Sequence, residues 1–226
     1  MTRRLVSIGG AFGAPDFYRD MFKEVRVIPI QETGYKQLDV IEHGSVVLFG
    51  GGEDISPSLY NAKKSRWTFA DQTPSLRDSL EKAAFKQAQK VGAFCYGICR
   101  GAQLLCALSG GKLVQHVNGH GDTHWLVMKN GKELPTSSVH HQMMYPFDME
   151  ANKYEILGWS KEKISNVYVL HDGDIRRDIS LEPEVIYFPE TRSLGIQGHP
   201  EFMSKNAPLV QLSRDLLTEY FFSKDQ

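Results

Sequence analysis

Along the first hundred residues short apolar blocks alternate with polar or glycine-rich ones. Leu5 to Ile8 is an apolar run ending in Gly9-Gly10, and Val25 to Ile30 is a second, with a helix-capable stretch from Asp16 to Lys23 between them. A third run, Ser45 to Phe49, ends in Gly50-Gly51-Gly52 after a polar segment around Tyr35 to Glu42 that suits a short helix. Three such runs with intervening helical segments predict a parallel sheet. Thr73-Pro74 then reads as a cap with proline at the first helical position, and Leu76, Leu80, Ala83, Ala84 and Ala88 form an apolar stripe running to about Val91. Ala93 to Ile98 predicts a buried strand, and Gly101 to Ser109 a helix closed by Gly110-Gly111.

The pattern changes in the second half. Trp125 to Lys129 and the segment after it flank Asn130-Gly131, which favours the tight turn of a hairpin. Short strands follow at Tyr154 to Trp159, Val167 to Leu170, Val185 to Phe188 and Leu194 to Gln197. From about Asn206 to Phe222 one stripe holds Leu209, Leu212, Leu216, Leu217 and Tyr220, so a closing helix should cover the sheet. The expected fold is a three-layer α/β sandwich: a mostly parallel central sheet flanked by helices, with a small antiparallel β extension. No repeat, linker or low-complexity stretch divides residues 1–226, so a single domain is expected.

Charge narrows the field. With 26 Lys and Arg against 27 Asp and Glu, the net charge of -1 provides no field for nucleic acid or acidic lipid. No leader pattern follows Met1, and no apolar run approaches the ~18 residues that span a bilayer. Cys95, Cys99 and Cys106 are an odd number packed into one segment, which suits reduced thiols and a cytoplasmic enzyme better than disulfides.

The strand and helix predicted on either side of Cys99 make it the candidate for chemistry. Gly97-Ile98-Cys99-Arg100-Gly101 has the glycine-flanked spacing of a nucleophile elbow, a sharp strand-to-helix turn that pushes the central residue out of the sheet. At a helix N-terminus the unpaired N–H groups favour thiolate over thiol. Cys95, within a strand, and Cys106, well inside a helix, read as structural. A thiolate needs a base and proton carrier, and His199-Pro200-Glu201 places an imidazole two residues from a carboxylate at a strand end. His-x-Glu is common by chance, and its position is what strengthens it. Gly51 and Gly52, with the backbone N–H of Arg100, are candidate donors to an oxyanion, although the glycine run fits an ordinary strand-ending turn about equally well.

In order and spacing, these residues resemble class I glutamine amidotransferases, most closely the γ-glutamyl hydrolase branch that includes γ-glutamyl-γ-aminobutyrate hydrolases. The resemblance is carried by Leu48 to Tyr60, Arg77-Asp78-Ser79-Leu80-Glu81, Gly97 to Gln103, Ser138-Val139-His140-His141-Gln142 and Gly195 to Glu201. It implies a flavodoxin-like layout and a γ-glutamyl thioester on Cys99, with His199 and Glu201 completing the triad and the Gly51 region with Arg100 forming the oxyanion hole. It further implies that Gln103 and the segment Ser138, Val139 and His140 hold the glutamyl α-amino and α-carboxylate groups. Phe49, where the family usually has proline, and Ser137, where the hydrolase branch often has asparagine, depart from the pattern. So does the charged segment from His171 to Glu182, which reads as a longer loop near the pocket.

His116, His120 and His124 recur every fourth residue, but Asn118-Gly119 and Gly121 oppose the helix that would align them on a metal. They are read as loop or pocket-rim residues, and no metal or other cofactor is expected. Lys63-Lys64-Ser65-Arg66 reads as a solvated basic loop, with Trp67 and Phe69 packing it over the active-site mouth. The substrate expected is a small γ-glutamyl compound, and a separate amidoligase or synthetase is a candidate partner; oligomeric state is not readable. Two other functions compete: a glutaminase that works only with a separate synthetase, and a redox or stress protein of the cysteine-elbow superfamily, against which His199-Pro200-Glu201 argues.

Overall fold

A computed structural model describes residues 3–223. Nine strands form one sheet: β1 (Arg4–Ile8), β2 (Glu24–Ile28), β3 (Ser45–Phe49), β4 (Phe94–Ile98), β5 (His124–Met128), β6 (Glu133–Thr136), β7 (Glu155–Ser160), β8 (Pro183–Phe188) and β9 (Ser193–Ile196). Their order across the sheet is β2-β1-β3-β4-β9-β8-β7-β5-β6. The first five in that order run parallel. The remaining four continue the same sheet antiparallel.

Alternation along the strands builds two cores. Val6, Val47, Phe49, Cys95, Ile186 and Phe188 face α1 (Leu76–Val91) and α2 (Arg100–Leu108), while Leu5, Leu48, Phe94, Tyr96, Val185 and Tyr187 face α3 (Pro208–Leu217) and the turns after β1. The central strands β1, β3, β4, β8 and β9 are buried on both sides, which is why they read as nearly unbroken apolar runs. This is the expected layered α/β architecture.

Several element boundaries depart from expectation. Asp16 to Lys23 is no α-helix: the crossover uses 3-10 turns at Ala11–Phe17 and Arg19–Met21, with Phe12 and Gly13 in non-helical conformation and Pro15 inside the first turn. The polar segment before β3 likewise winds as a 3-10 stretch, Glu32–Val40. The cap of α1 is Ser75, one residue past Pro74. Its side chain accepts from Asp78 N while the Asp78 carboxylate takes the Ser75 N–H, a closed capping box that outcompetes a start at Pro74. Val167 to Leu170 contributes only Tyr168–Val169, which pairs with His116–Val117 and Ile175–Arg176 in a separate small sheet. The expected 171–182 loop therefore contains a strand, and it ends in a buried glutamate.

Candidate active site

Cys99 stands between β4 and α2 with φ 50° and ψ -108°, a backbone conformation that a side-chain-bearing residue rarely adopts. Close packing enforces this turn. A Cβ on Gly97 would lie 2.5 Å from the Gly101 carbonyl, and one on Gly101 would collide with the Phe49 backbone. The Cys99 N–H is tied to Ile196 O at 2.8 Å, and its carbonyl accepts the first helical bond of α2 from Gln103 N at 3.1 Å. The thiol is thus fixed at the carboxyl end of the central parallel strands, beneath a helix N-terminus.

His199 comes from the chain just past β9, the strand next to β4. Its Nδ1 lies 2.8 Å from Glu201 Oε1 and donates to that carboxylate. Both side chains are nearly inaccessible to solvent, at 3% and 0% exposure. Burial opposes charge on the imidazole, but the Cys99 sulfur and then the Glu201 carboxylate outweigh it and raise His199 to about 10. Ser137 clamps the histidine backbone, its Oγ donating to His199 O at 2.6 Å and its carbonyl accepting from His199 N at 3.2 Å. The Phe202 ring stacks on the imidazole at 4.4 Å and 5°. Phe12 meets Phe202 edge-on, and both are more than half exposed. A thiol beside a carboxylate-oriented imidazole is equipped to attack a carbonyl and return a proton to the leaving group.

The glycine run after β3 closes over this pair. A Cβ on Gly51 would sit 2.6 Å from His199 Cε1, so only glycine lets the loop reach the ring. One Arg77 nitrogen donates to the carbonyls of both Gly50 and Gly51, at 3.0 and 2.9 Å. In a trans peptide the N–H points opposite its C=O, so anchoring these carbonyls turns the N–H groups of Gly51 and Gly52 to the other side of the loop. Arg77 also binds Glu81 at 2.9 Å, and Glu81 and Asp78 both hold the buried Arg100 guanidinium, Asp78 at 2.6 Å. The Arg100 side chain is therefore directed back into α1 and leaves its backbone at the helix start beside Cys99. Two guanidiniums and two carboxylates balance one another in this network, which binds the glycine loop to the elbow.

The remaining predicted residues meet at one side. Gln103 is buried and donates to Gln142 O at 3.0 Å. Ser138 Oγ donates to His120 O at 2.6 Å, Val139 is exposed, and His140 is buried with Nδ1 2.8 Å from Gln142 O. Trp67 stacks on His116 at 4.2 Å and Phe69 packs on His141 at 4.8 Å, so the 65–69 loop lies against these two histidines. Cys95 and Cys106 are structural thiols, each pushed up to about 12 by burial.

Sequence reasoning gave no role to Arg77, Asp78, Glu81, Gln197, Glu182 or Glu184. The first three form an i, i+4 pair and a cap on one helix, a visible pattern whose partners lie elsewhere in the chain. Gln197 Nε2 approaches Cys99 Sγ at 3.8 Å across the β4–β9 seam, a contact no local spacing signals.

Known proteins agree with this architecture. The peptidase C26 family model matches residues 23–177, a span that includes Cys99 and stops short of His199. The glutamine amidotransferase-like protein YvdE of Lactococcus lactis subsp. lactis is 25% identical over 192 residues, 82% of this chain and 78% of that protein. Protein NtpR of Enterococcus hirae is 25% identical over 209 residues, 86% of this chain and 82% of its own. Among solved structures, a protein described as a GMP synthase component from Thermoplasma acidophilum superposes with a TM-score of 0.63 at 10% identity, covering 100% of this chain and 96% of that one. A glutamine amidotransferase from Thermotoga maritima gives 0.55 at 12% identity, covering 97% and 85%. At such identities the structural likeness speaks for the fold.

Proposed function

The chain belongs to the peptidase C26 family, a family of cysteine-type amidotransferases and hydrolases, and from that premise we propose that it cleaves γ-glutamyl amides through a γ-glutamyl thioester on Cys99. The observation that carries this reading is the Cys99 elbow beside the buried His199 and Glu201 pair. The thiolate attacks the γ-carbonyl, and the N–H groups of the Gly51 to Gly52 loop and of Arg100 receive the oxyanion. His199, held as imidazolium, passes its proton to the departing amine, then takes one from the water that releases glutamate. Gln103 and the Ser138 to His140 segment border the glutamyl end.

The leaving amine must lie on the His199 side, because that imidazole supplies its proton. That side carries the exposed pair Phe12 and Phe202, 63% and 52% accessible. An apolar wall offers nothing to ammonia and a good deal to an alkyl or aryl amine, which favours a conjugate hydrolase over a glutaminase. A second reading, a glutaminase that serves a separate synthetase, draws support from the fold shared with the protein described as a GMP synthase component.

The protein alone is incubated with L-glutamine and with a series of γ-glutamyl amines, and glutamate and ammonia are measured. Turnover of conjugates, abolished in Cys99→Ala, is expected. Turnover of glutamine alone, appearing only when a synthetase is added, selects the second reading. Activity that survives Cys99→Ala ends the thioester mechanism.

A further inference from the structure

Behind the 138–140 segment, and sharing His140 with it, lies a polar cluster that the bond-breaking steps do not use. His120, His140 and Glu184 are buried, with side chains 0%, 1% and 2% exposed, and each offers a ligand atom within 4.8 Å of the others. His124 Nε2 lies 3.1 Å from the same Glu184 oxygen, Oε1. These residues come from two loops and from the starts of β5 and β8, so the fold assembles them without the helix that their sequence spacing would have required.

Proton placement decides what the cluster is for. His140 Nδ1 faces Gln142 O at 2.8 Å and His124 Nδ1 faces Asp122 O at 3.3 Å. A carbonyl only accepts, so His140 Nδ1 carries the hydrogen and its Nε2 faces Glu184 Oε1 at 3.6 Å, while His124, whose shorter contact is the 3.1 Å from Nε2 to that same oxygen, donates to the carboxylate. His120 places Nε2 3.3 Å from Glu182 Oε2, and Nδ1 3.5 Å from Glu184 Oε1. Glu182 is already fixed by Ile164 N, Ser165 N and Tyr168 OH, at 2.9, 2.8 and 2.7 Å, and its carboxylate lies against His120 Nε2. Nitrogen lone pairs and a carboxylate therefore converge on one point. Among the described residues both ring nitrogens of His120, His140 Nε2 and Glu184 Oε2 have no hydrogen-bond partner despite full burial, which is costly unless something positive lies between them.

We propose that His120, His140 and Glu184 bind a divalent transition-metal ion, zinc by their chemistry, with His124 holding the Glu184 carboxylate in place. Three features support this site. The donor separations of 3.5 and 3.6 Å from Glu184 Oε1 are long for hydrogen bonds and close to the ~3.4 Å edge of a tetrahedron with ~2.1 Å bonds. Imidazole with carboxylate is a zinc donor set. Each imidazole has its other nitrogen against a carboxylate or backbone carbonyl, the outer shell that fixes the tautomer of metal-bound histidine. The ion would tie the 138–140 segment and the His120 loop to β8, making one wall of the pocket rigid. It touches neither Cys99 nor the scissile bond, and metal content is read without turnover, so this reading and the proposed hydrolysis fail separately.

The test uses the 226-residue chain carrying Cys99→Ala, which removes the thiol as a competing zinc ligand. After chelator treatment the protein is titrated with zinc alone by calorimetry, and its metal content is measured by mass spectrometry after dialysis. One equivalent per chain is expected, together with a rise in thermal midpoint, and cobalt in place of zinc should give the strong visible bands of a tetrahedral site. Adding His140→Ala or Glu184→Gln should abolish stoichiometric retention, and adding Glu182→Gln should weaken binding ~10–100-fold at unchanged stoichiometry. Circular dichroism on each variant separates lost binding from lost fold, and Glu184→Gln keeps the shape of the side chain. Failure of the folded Cys99→Ala protein to take up zinc, or retention of a full equivalent in folded Glu184→Gln, overturns the assignment.

Discussion

In the proposed reaction His199 is the residue whose protonation sets the working range of the site. Its imidazolium is needed for the departing amine, so kcat/KM should hold level through neutral pH and fall as pH rises through about 10. Glu201→Gln removes one of the two groups that hold the proton. The fall should then move to lower pH and the rate drop ~10²-fold or more; a pH–rate profile checks both, and an unmoved midpoint would deny Glu201 its orienting role. The same shift is a statement about stability. The folded value lies above the ~6.5 of a free imidazole, so the contribution is full below about pH 6.5 and is lost as pH rises toward 10. Thermal midpoints of wild type and His199→Gln, compared across that range, should draw together at the alkaline end. Gly51→Ala tests the approach of the glycine loop: with 2.6 Å between the new methyl and His199 Cε1, the ring or the loop must move. We expect kcat to fall ~10²–10³-fold with little change in unfolding temperature. The candidate residues Cys99, His199 and Glu201, which the structure brings together, were legible in the sequence because each stands in a motif of five residues or fewer. Gln197 and Glu184 were not, since their roles arise only where β4, β9 and β8 lie side by side.

At the scale of elements, α1 does more than cover the sheet. Its first two turns supply Arg77, Asp78 and Glu81, which hold the glycine loop on one side and Arg100 on the other. Glu81 is fully buried between two guanidiniums, so Glu81→Gln leaves them uncompensated and should cost about 3–5 kcal/mol in urea unfolding. Arg77→Met should instead act on rate, lowering kcat ~10²-fold as the Gly50 and Gly51 carbonyls lose their donor, with Arg77→Lys restoring part of it. Equal loss in Met and Lys variants would point to the fork geometry of arginine as the requirement. Helices α1 and α2 and the parallel strands were readable because long stripes and double-sided burial leave strong periodic marks. The crossovers before β2 and β3 were not: stretches of seven and nine residues with proline and glycine nearby wind as 3-10 turns when tertiary packing asks only for a short connection. Sequence pattern also hid the small sheet that brings Glu182 to His120, because strands of two residues have no period to detect.

For the whole molecule, the telling fact is the seam between β4 and β9, which pairs residues 95–98 with residues 193–196. The parallel half of the sheet cannot close without the last strand, and the antiparallel half is anchored through it. We expect one cooperative unfolding transition, with calorimetric and van't Hoff enthalpies in agreement; two resolved transitions would divide the chain between its parallel and antiparallel parts. No helix among the described residues is long and apolar enough to cross a membrane.

The seam also delivers Cys99 in a backbone geometry that ordinary residues avoid, and such a residue costs of order 1–3 kcal/mol. Selection for stability alone would replace it. Cys99→Gly should therefore melt higher than the wild-type protein while doing nothing to any substrate, and in a library screened only for heat resistance that inactive variant should be among the first recovered.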